Sequence, residues 1–239
     1  MLQRVLAVVA CAVMLAGGEA GAAEIRPSSY DMPNGNGHAT GGWYNYWDLG
    51  YSGLGSVTTD NAPLSGGLGD LADGVVPLQI WDDVENDDGT GPYVGWLNLN
   101  PEITFHFDGD PLISKVVVHT DDSLGKGGVT PPWAVLVNGV ETPVDWDEGR
   151  SSGAPFAIEI GGLALEGDVT VQLMRRSAWV FISEVTFEGD ARATLTDSEV
   201  AEPGALMLLA SGVAGVAGVR VSGRGRRACA SRGRTGLLP

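Results

Sequence analysis

The middle of this 239-residue chain predicts an all-β fold, a jelly-roll β-sandwich. Three observations point there. Short runs alternate apolar and polar residues, an Asn-Gly pair separates two such runs, and no window before residue 203 carries a helical period.

The runs follow one another at short intervals. Ile103, Phe105 and Phe107 alternate with Thr104 and His106, and Val116 and Val118 with Lys115 and His119. Asn138-Gly139, between residues 133–137 and 140–146, signals a tight hairpin, because both central residues of such a turn need positive φ. Phe156, Ile158 and Ile160 alternate with Ala157 and Glu159, and Val169, Val171 and Leu173 with Thr170 and Gln172. Val180 and Ile182 share one face, whereas Val185 and Phe187 take the opposite phase, an offset that a bulge or a twist produces. Residues 34–69 are rich in Gly, Asn and aromatics; they read as a long ordered loop or as the first strands of the sandwich. The chain shows no internal repeat.

Both ends read as processing segments. Arg4, an apolar run over 5–16 and the small residues Ala20-Gly21-Ala22 predict a signal peptide over 1–23, cleaved after Ala22 or Ala23. The run is too short for a membrane span of about 20 residues. A competing reading makes Cys11 a lipidated cysteine. At the other end, an apolar stretch over 204–219 precedes Arg220, Arg224, Arg226, Arg227, Arg232 and Arg234. This predicts a transmembrane helix over 204–221 and an Arg-rich cytoplasmic tail over 222–239. Gly212, Gly215 and Gly218 suit close helix contact. Residues 193–203 form a linker, leaving 24–192 for the folded domain. An ordinary tail anchor is the plainer reading.

Val200-Ala201-Glu202-Pro203-Gly204-Ala205, then the apolar run, then the arginines, resembles a PEP-CTERM sorting signal. Ala201 stands where that family has its first proline, so the sorting motif here is Ala201, Glu202 and Pro203. The resemblance implies a Gram-negative host, export across its inner membrane and transient anchoring there. It also implies exosortase as a partner, cleavage near the motif, and a final place at the cell surface or outside. It covers about the last 40 residues.

Charge and cysteine content narrow the middle domain. Residues 24–199 hold 28 acidic and 7 basic side chains, a net charge of −21. Such a surface excludes nucleic acid as a partner and disfavours anionic lipid. It favours solubility and metal cations, with simple solvation as the plainer account. Cys11 and Cys229 are the two cysteines, both in terminal segments, so thiol catalysis, a cysteine zinc site and a disulfide are excluded for the domain.

Two further stretches, Leu71-Ala72-Asp73-Gly74 and residues 179–187, resemble the aspartate-glycine turn and the last strand of discoidin-like, galactose-binding-like domains; Tyr93-Val94-Gly95-Trp96 fits a strand between them. The resemblance covers roughly residues 40–190. It implies an eight-stranded jelly roll, carbohydrate binding, and a structural calcium held by Asp73 and Glu184. The chemistry agrees, since calcium takes hard oxygens and an Asp-Gly turn offers a carboxylate beside carbonyls. Glu184 lies in an otherwise apolar strand and needs a partner. The alternative is that Asp73 caps a turn and Glu184 faces solvent.

Other candidates are weaker. Asp82, Asp83, Glu85, Asp87 and Asp88 miss the EF-hand spacing and read as a solvated loop. Aromatic rings stack on sugars, which makes Trp43, Tyr46, Trp47, Trp81 and Trp133 candidate contacts for extracellular polysaccharide. Tyr44, Tyr51 and Trp146 are further aromatics of the same kind, and buried packing is the commoner fate of all of them. Gly149-Arg150-Ser151-Ser152-Gly153 matches a hydrolase motif that needs a strand-to-helix elbow, but it falls between strands. His38, His106 and His119 lack metal-ligand spacing. The expectation is a non-enzymatic, calcium-stabilised surface protein that binds polysaccharide, with a purely structural surface or matrix protein as the alternative.

Overall fold

The computed structural model describes residues 22–37, 44–149 and 151–191. Residues 1–21 of the signal expected over 1–23, the sorting motif Ala201, Glu202 and Pro203, the helix over 204–221 and the tail over 222–239 lie outside these residues, as do Cys11, His38, Trp43 and Arg150. Among the described residues no helix is long and apolar enough to cross a membrane.

The expected β class is what forms. The strands are β1 (Ala23–Ile25), β2 (Ser29–Pro33), β3 (Pro63–Gly67), β4 (Val94–Leu97), β5 (Glu102–His106) and β6 (Leu112–Thr120). They continue with β7 (Ala134–Val137), β8 (Val140–Pro143), β9 (Phe156–Glu166), β10 (Val169–Met174) and β11 (Trp179–Asp190). Among the described residues one short α-helix, α1 (Trp81–Val84), interrupts them. β1 begins at Ala23, the last residue of the expected signal, so cleavage after Ala22 keeps this strand whole.

Two antiparallel sheets face each other. One runs β1-β11-β6-β9, with β4 beside β1 on the same edge of β11; the other runs β3-β2-β5-β10-β7-β8. The strands outnumber the eight of the expected jelly roll. Much of the excess is short: β1, β4, β7 and β8 have three or four residues each. Asn138 and Gly139 have φ of 46° and 78° and close the β7–β8 hairpin as the sequence requires.

The alternating residues supply the core. Ile103 and Phe105 of β5, Val116 and Val118 of β6, and Val169, Val171 and Leu173 of β10 are all buried in one cluster. Phe187 packs on Phe105 and Phe107 at 4.9 Å between ring centroids in each pair, contacts worth about 0.5–1.5 kcal/mol beyond their area.

The phase offset in the last strand is a register shift between β11 and β6. Ile182 pairs with Thr120, and Glu184 with the next residue, His119, so one extra residue enters β11. Val180 and Ile182 point inward before the shift, Val185 and Phe187 after it.

Residues 34–62 are mainly a long connection between β2 and β3, and a buried polar network ties them to the sandwich. Asn34 Oδ1 accepts from the Gly35 and Asp48 amides at 2.8 and 3.0 Å. The Tyr30 hydroxyl donates to Asp48, and the Tyr51 hydroxyl to the Tyr30 carbonyl. Asp48 Oδ1 accepts from the Asp70 amide at 3.2 Å. This connection brings Tyr44 and Tyr46 to the start of β11.

Candidate functional site

The first half of β11 is buried on both faces. Val180 and Ile182 enter the sandwich core, while Trp179 and Phe181 point the other way into a second cluster with Tyr46, Trp81, Tyr93 and Val129. Gly95 of β4 makes room, because a Cβ there would overlap the Phe181 ring. Tyr46 lies at 4.5 Å from Phe181 and 5.3 Å from Trp179 between centroids. Trp81 meets Tyr44 and Tyr46 edge-on, each at 84°.

This cluster forms the wall of a cavity of about 580 Å³. Tyr44, Tyr46, Trp81, Trp179 and Phe181 supply its rings, and Glu85, Asn86 and Asp87 its polar side. The size and the mix of apolar wall with a few polar groups suit a small ligand or one sugar unit. A second cavity, of about 760 Å³, is lined by Asp70, Asp73 and Leu78 among others, with no aromatic ring.

Glu85 is the unusual group in the wall. It is 7% exposed, and its Oε1 accepts from the Tyr93 amide at 2.8 Å. Its Oε2 is buried with no hydrogen-bond partner. Gly91 packs against the carboxylate, where any Cβ would overlap it. Burial pushes the Glu85 carboxyl up to about 8, opposed by the Tyr93 N–H and reinforced by Asp70 and Asp121. Asp121 is fully buried and accepts from the Trp81 amide at 2.8 Å through Oδ1, which fixes the start of α1. Burial raises its carboxyl to about 6, against the Trp81 N–H. Trp81 Nε1 donates to Ser123 Oγ at 3.0 Å. At the rim, Lys126 is held in an ion pair by Asp82.

Two of the sequence candidates, Tyr46 and Trp81, meet in this pocket. Trp47 does not; its Nε1 donates to Asp60 Oδ1 at 2.7 Å, and its ring lies against Gly37. Trp133 is 39% exposed just before β7, away from the pocket. Trp43 lies outside the described residues. Tyr51 is part of the buried network. Sequence reading missed Trp179 and Phe181 as pocket rings, and it assigned Glu85 to a solvated loop. Asp83, Asp87 and Asp88 are exposed as expected. Glu85 departs because the Tyr93 amide requires an acceptor inside.

Asp73 and Glu184 come together at the turn after the 3₁₀ segment Asp70–Ala72. Glu184 is buried, and its Oε2 accepts from the Gly74 amide at 3.0 Å; Asp73 Oδ1 accepts from Val75 at 2.8 Å. Burial pushes the Glu184 carboxyl up to about 7, opposed by the Gly74 N–H and aided by the Asp73 charge. Burial also raises Asp70, to about 8, with Asp48 and Asp73 adding to it. Among the described residues no group of three or more His, Cys, Asp or Glu side chains is placed to hold a metal. Each of the two carboxylates instead already accepts from a backbone amide of the turn. Gly149 and Ser151–Gly153 lie in the loop from β8 to β9, not at a strand-to-helix elbow, and the Ser151 hydroxyl donates to Asp122.

Residues 28–130 match the family model described as "Discoidin domain-containing receptor 1/2, DS-like domain". The match supports the discoidin-like character of the sandwich. It runs from before β2 to just before β7, and so includes the pocket side chains up to Val129 but not Trp179 or Phe181. No curated protein matches the chain.

The buried acids set a pH dependence of stability. Glu85, Asp70 and Glu184 ionise in the folded state only near pH 7–8, against about 4 in an unfolded chain. Between those limits the folded state binds more protons, so stability falls as pH rises. His106, raised by Asp168 and Asp31 against its partial burial, acts in the same direction; His119, lowered by burial, opposes them. In metal-free buffer the melting temperature should drop between pH 5 and pH 8. Glu85→Gln should recover on the order of 1–3 kcal/mol at pH 8, as it keeps the acceptor for Tyr93. Thermal unfolding followed by tryptophan fluorescence measures both; equal slopes in the two proteins would refute the role given to Glu85.

Proposed function

We propose that the protein is an exported surface protein whose β-sandwich binds extracellular polysaccharide in the aromatic pocket. One observation carries this: Tyr44, Tyr46, Trp81, Trp179 and Phe181, from three separate stretches of chain, converge on a single cavity beside a buried carboxyl. Ring faces stack on the apolar faces of sugars, and polar groups beside them fix orientation. The terminal segments support export, and the motif Ala201, Glu202 and Pro203 supports sorting by exosortase after a transient stay in the inner membrane. Asp73 and Glu184 hold a structural calcium in this reading, which offsets the burial of Glu184. The reading assigns no catalytic residue.

The near-complete burial of Trp81 and Trp179 favours the second reading, a structural surface protein with no specific sugar ligand. A glycan array probed with the protein separates the two. Binding is expected, with a roughly three- to tenfold loss in Tyr44→Ala, which trims the pocket at its half-buried edge. An array with no binding would leave the structural reading standing.

Calcium has its own test. Saturation at about 100 times Kd should stabilise the fold by about 2.7 kcal/mol, a rise of several degrees in melting temperature that chelator reverses. Glu184→Gln should abolish the response. A chelator that leaves the wild-type melting temperature unchanged would rule the ion out.

Sorting is tested by intact mass and C-terminal sequencing of protein from its native host. A chain ending near Glu202 is expected. Retention of residues 220–239 would make the tail a plain anchor.

A further inference from the structure

Two buried carboxyls fasten the stretch of chain that carries Trp81 into the cavity wall. Residues 68–93 contain no strand, so no ladder joins them to either sheet. Side chains supply much of the fastening of residues 81–93. Asp121 Oδ1 accepts from the Trp81 amide and Ser123 Oγ from Trp81 Nε1, at 2.8 and 3.0 Å. Glu85 Oε1 accepts from the Tyr93 amide at 2.8 Å and closes the stretch on itself. The Asn45 amide donates to the Asn86 carbonyl at 3.0 Å, and Lys126 is held by Asp82.

Each carboxyl uses one oxygen and seals the other. Glu85 Oε2 and Asp121 Oδ2 are both buried without a hydrogen-bond partner. A protonated carboxyl tolerates such a seat, whereas a charge there meets neither water nor a counter-ion. The charged groups that face the pair are acidic: Asp70 and Asp121 for Glu85, and Asp122 for Asp121. The facing phenols, Tyr46 and Tyr93, stay protonated, because burial and the same acids raise them. The Tyr93 and Trp81 N–H groups and Ser123 oppose the effect of burial without cancelling it, so Glu85 ionises near 8 and Asp121 near 6. In an opened chain both would ionise near 4. Rising pH therefore favours any state that wets these two oxygens. The least costly such state opens the stretch without a ladder and leaves the sheets paired.

We propose that Glu85 and Asp121 form a pH-sensitive latch: while both are protonated residues 81–93 lie closed, and their ionisation releases this stretch and withdraws Trp81 from the cavity wall while the sandwich stays folded. Trp179 and Phe181 remain on β11, so the cavity loses one side and keeps the other. The latch holds whether or not the pocket takes polysaccharide.

Hydrogen exchange of the full chain, followed by mass spectrometry at pH 5.5 and pH 8.5 and corrected for the intrinsic rate, tests the proposal. Protection of residues 81–93 should fall at least tenfold at the higher pH, while that of β10 changes much less. The double variant Glu85→Gln, Asp121→Asn keeps both acceptors and should show no such fall. Glu85→Gln alone should remove most of it and serves if the double variant does not fold. Unchanged protection of residues 81–93 in the wild type would overturn the latch. So would an equal fall in residues 81–93 and β10, which marks global unfolding, or a fall that survives in the variants.

Discussion

The aromatic cavity depends on the first half of one strand having no solvent-facing side. β11 is central in its sheet, with β6 on one edge and β1 and β4 on the other. Its inward residues Val180 and Ile182 build the sandwich core. Its outward residues Trp179 and Phe181 would expose two large rings to water unless something covered them, and each such side chain is worth about 1.5–3 kcal/mol on burial. The cover comes from the long β2–β3 connection through Tyr46, from α1 through Trp81, and from Tyr93 ahead of β4. The strand therefore positions the rings of the pocket, and the pocket is the space left where they meet imperfectly.

The register shift in the same strand performs a second task. Strict alternation from Val180 and Ile182 would send residue 184 into the core, where a carboxylate would be costly. The extra residue at 182–184 turns Val185 and Phe187 inward instead and delivers Glu184 to the Gly74 amide. One local irregularity thus keeps a charge out of the sandwich and brings it to the Asp-Gly turn. The main core cluster stays apolar, while Glu184, Asp70 and Glu85 are set at its margins, where burial raises their ionisation.

Much of this was legible in the sequence, and what was not has a physical cause. Period-two runs identified β5, β6, β9 and β10, since each has one dry face and one wetter one. Asn138-Gly139 marked the hairpin, and the phase offset at Ile182 and Val185 marked the bulge. Glu184 reaches the Asp73-Gly74 turn, although more than a hundred residues separate them in the chain. Trp179 and Phe181 were missed as pocket rings because alternation assigns faces but not what covers them. The unbroken apolar run from Trp179 to Ile182 was the available signal, as strands buried on both faces lose their alternation. Glu85 was hidden among four other acids, and only the position of the Tyr93 amide distinguishes it. Trp47 and Trp133 carried the same composition signal as Trp81 but lie on other surfaces.

The acids of the site explain one another. A fold selected for stability alone would place Gln or Leu at position 85, since an unpaired buried carboxyl is among the more expensive groups to keep. Tyr93 needs only one acceptor, which an amide supplies as well. What a carboxyl adds is a second oxygen and a charge that forms only once pH approaches about 8. Strongly shifted groups beside a cavity are where ligand chemistry concentrates, because the ligand restores what burial removed. Glu184 beside Asp73 is a second group of this kind, raised by burial. The sandwich core supplies the stability that lets both sites hold acids in unfavourable surroundings.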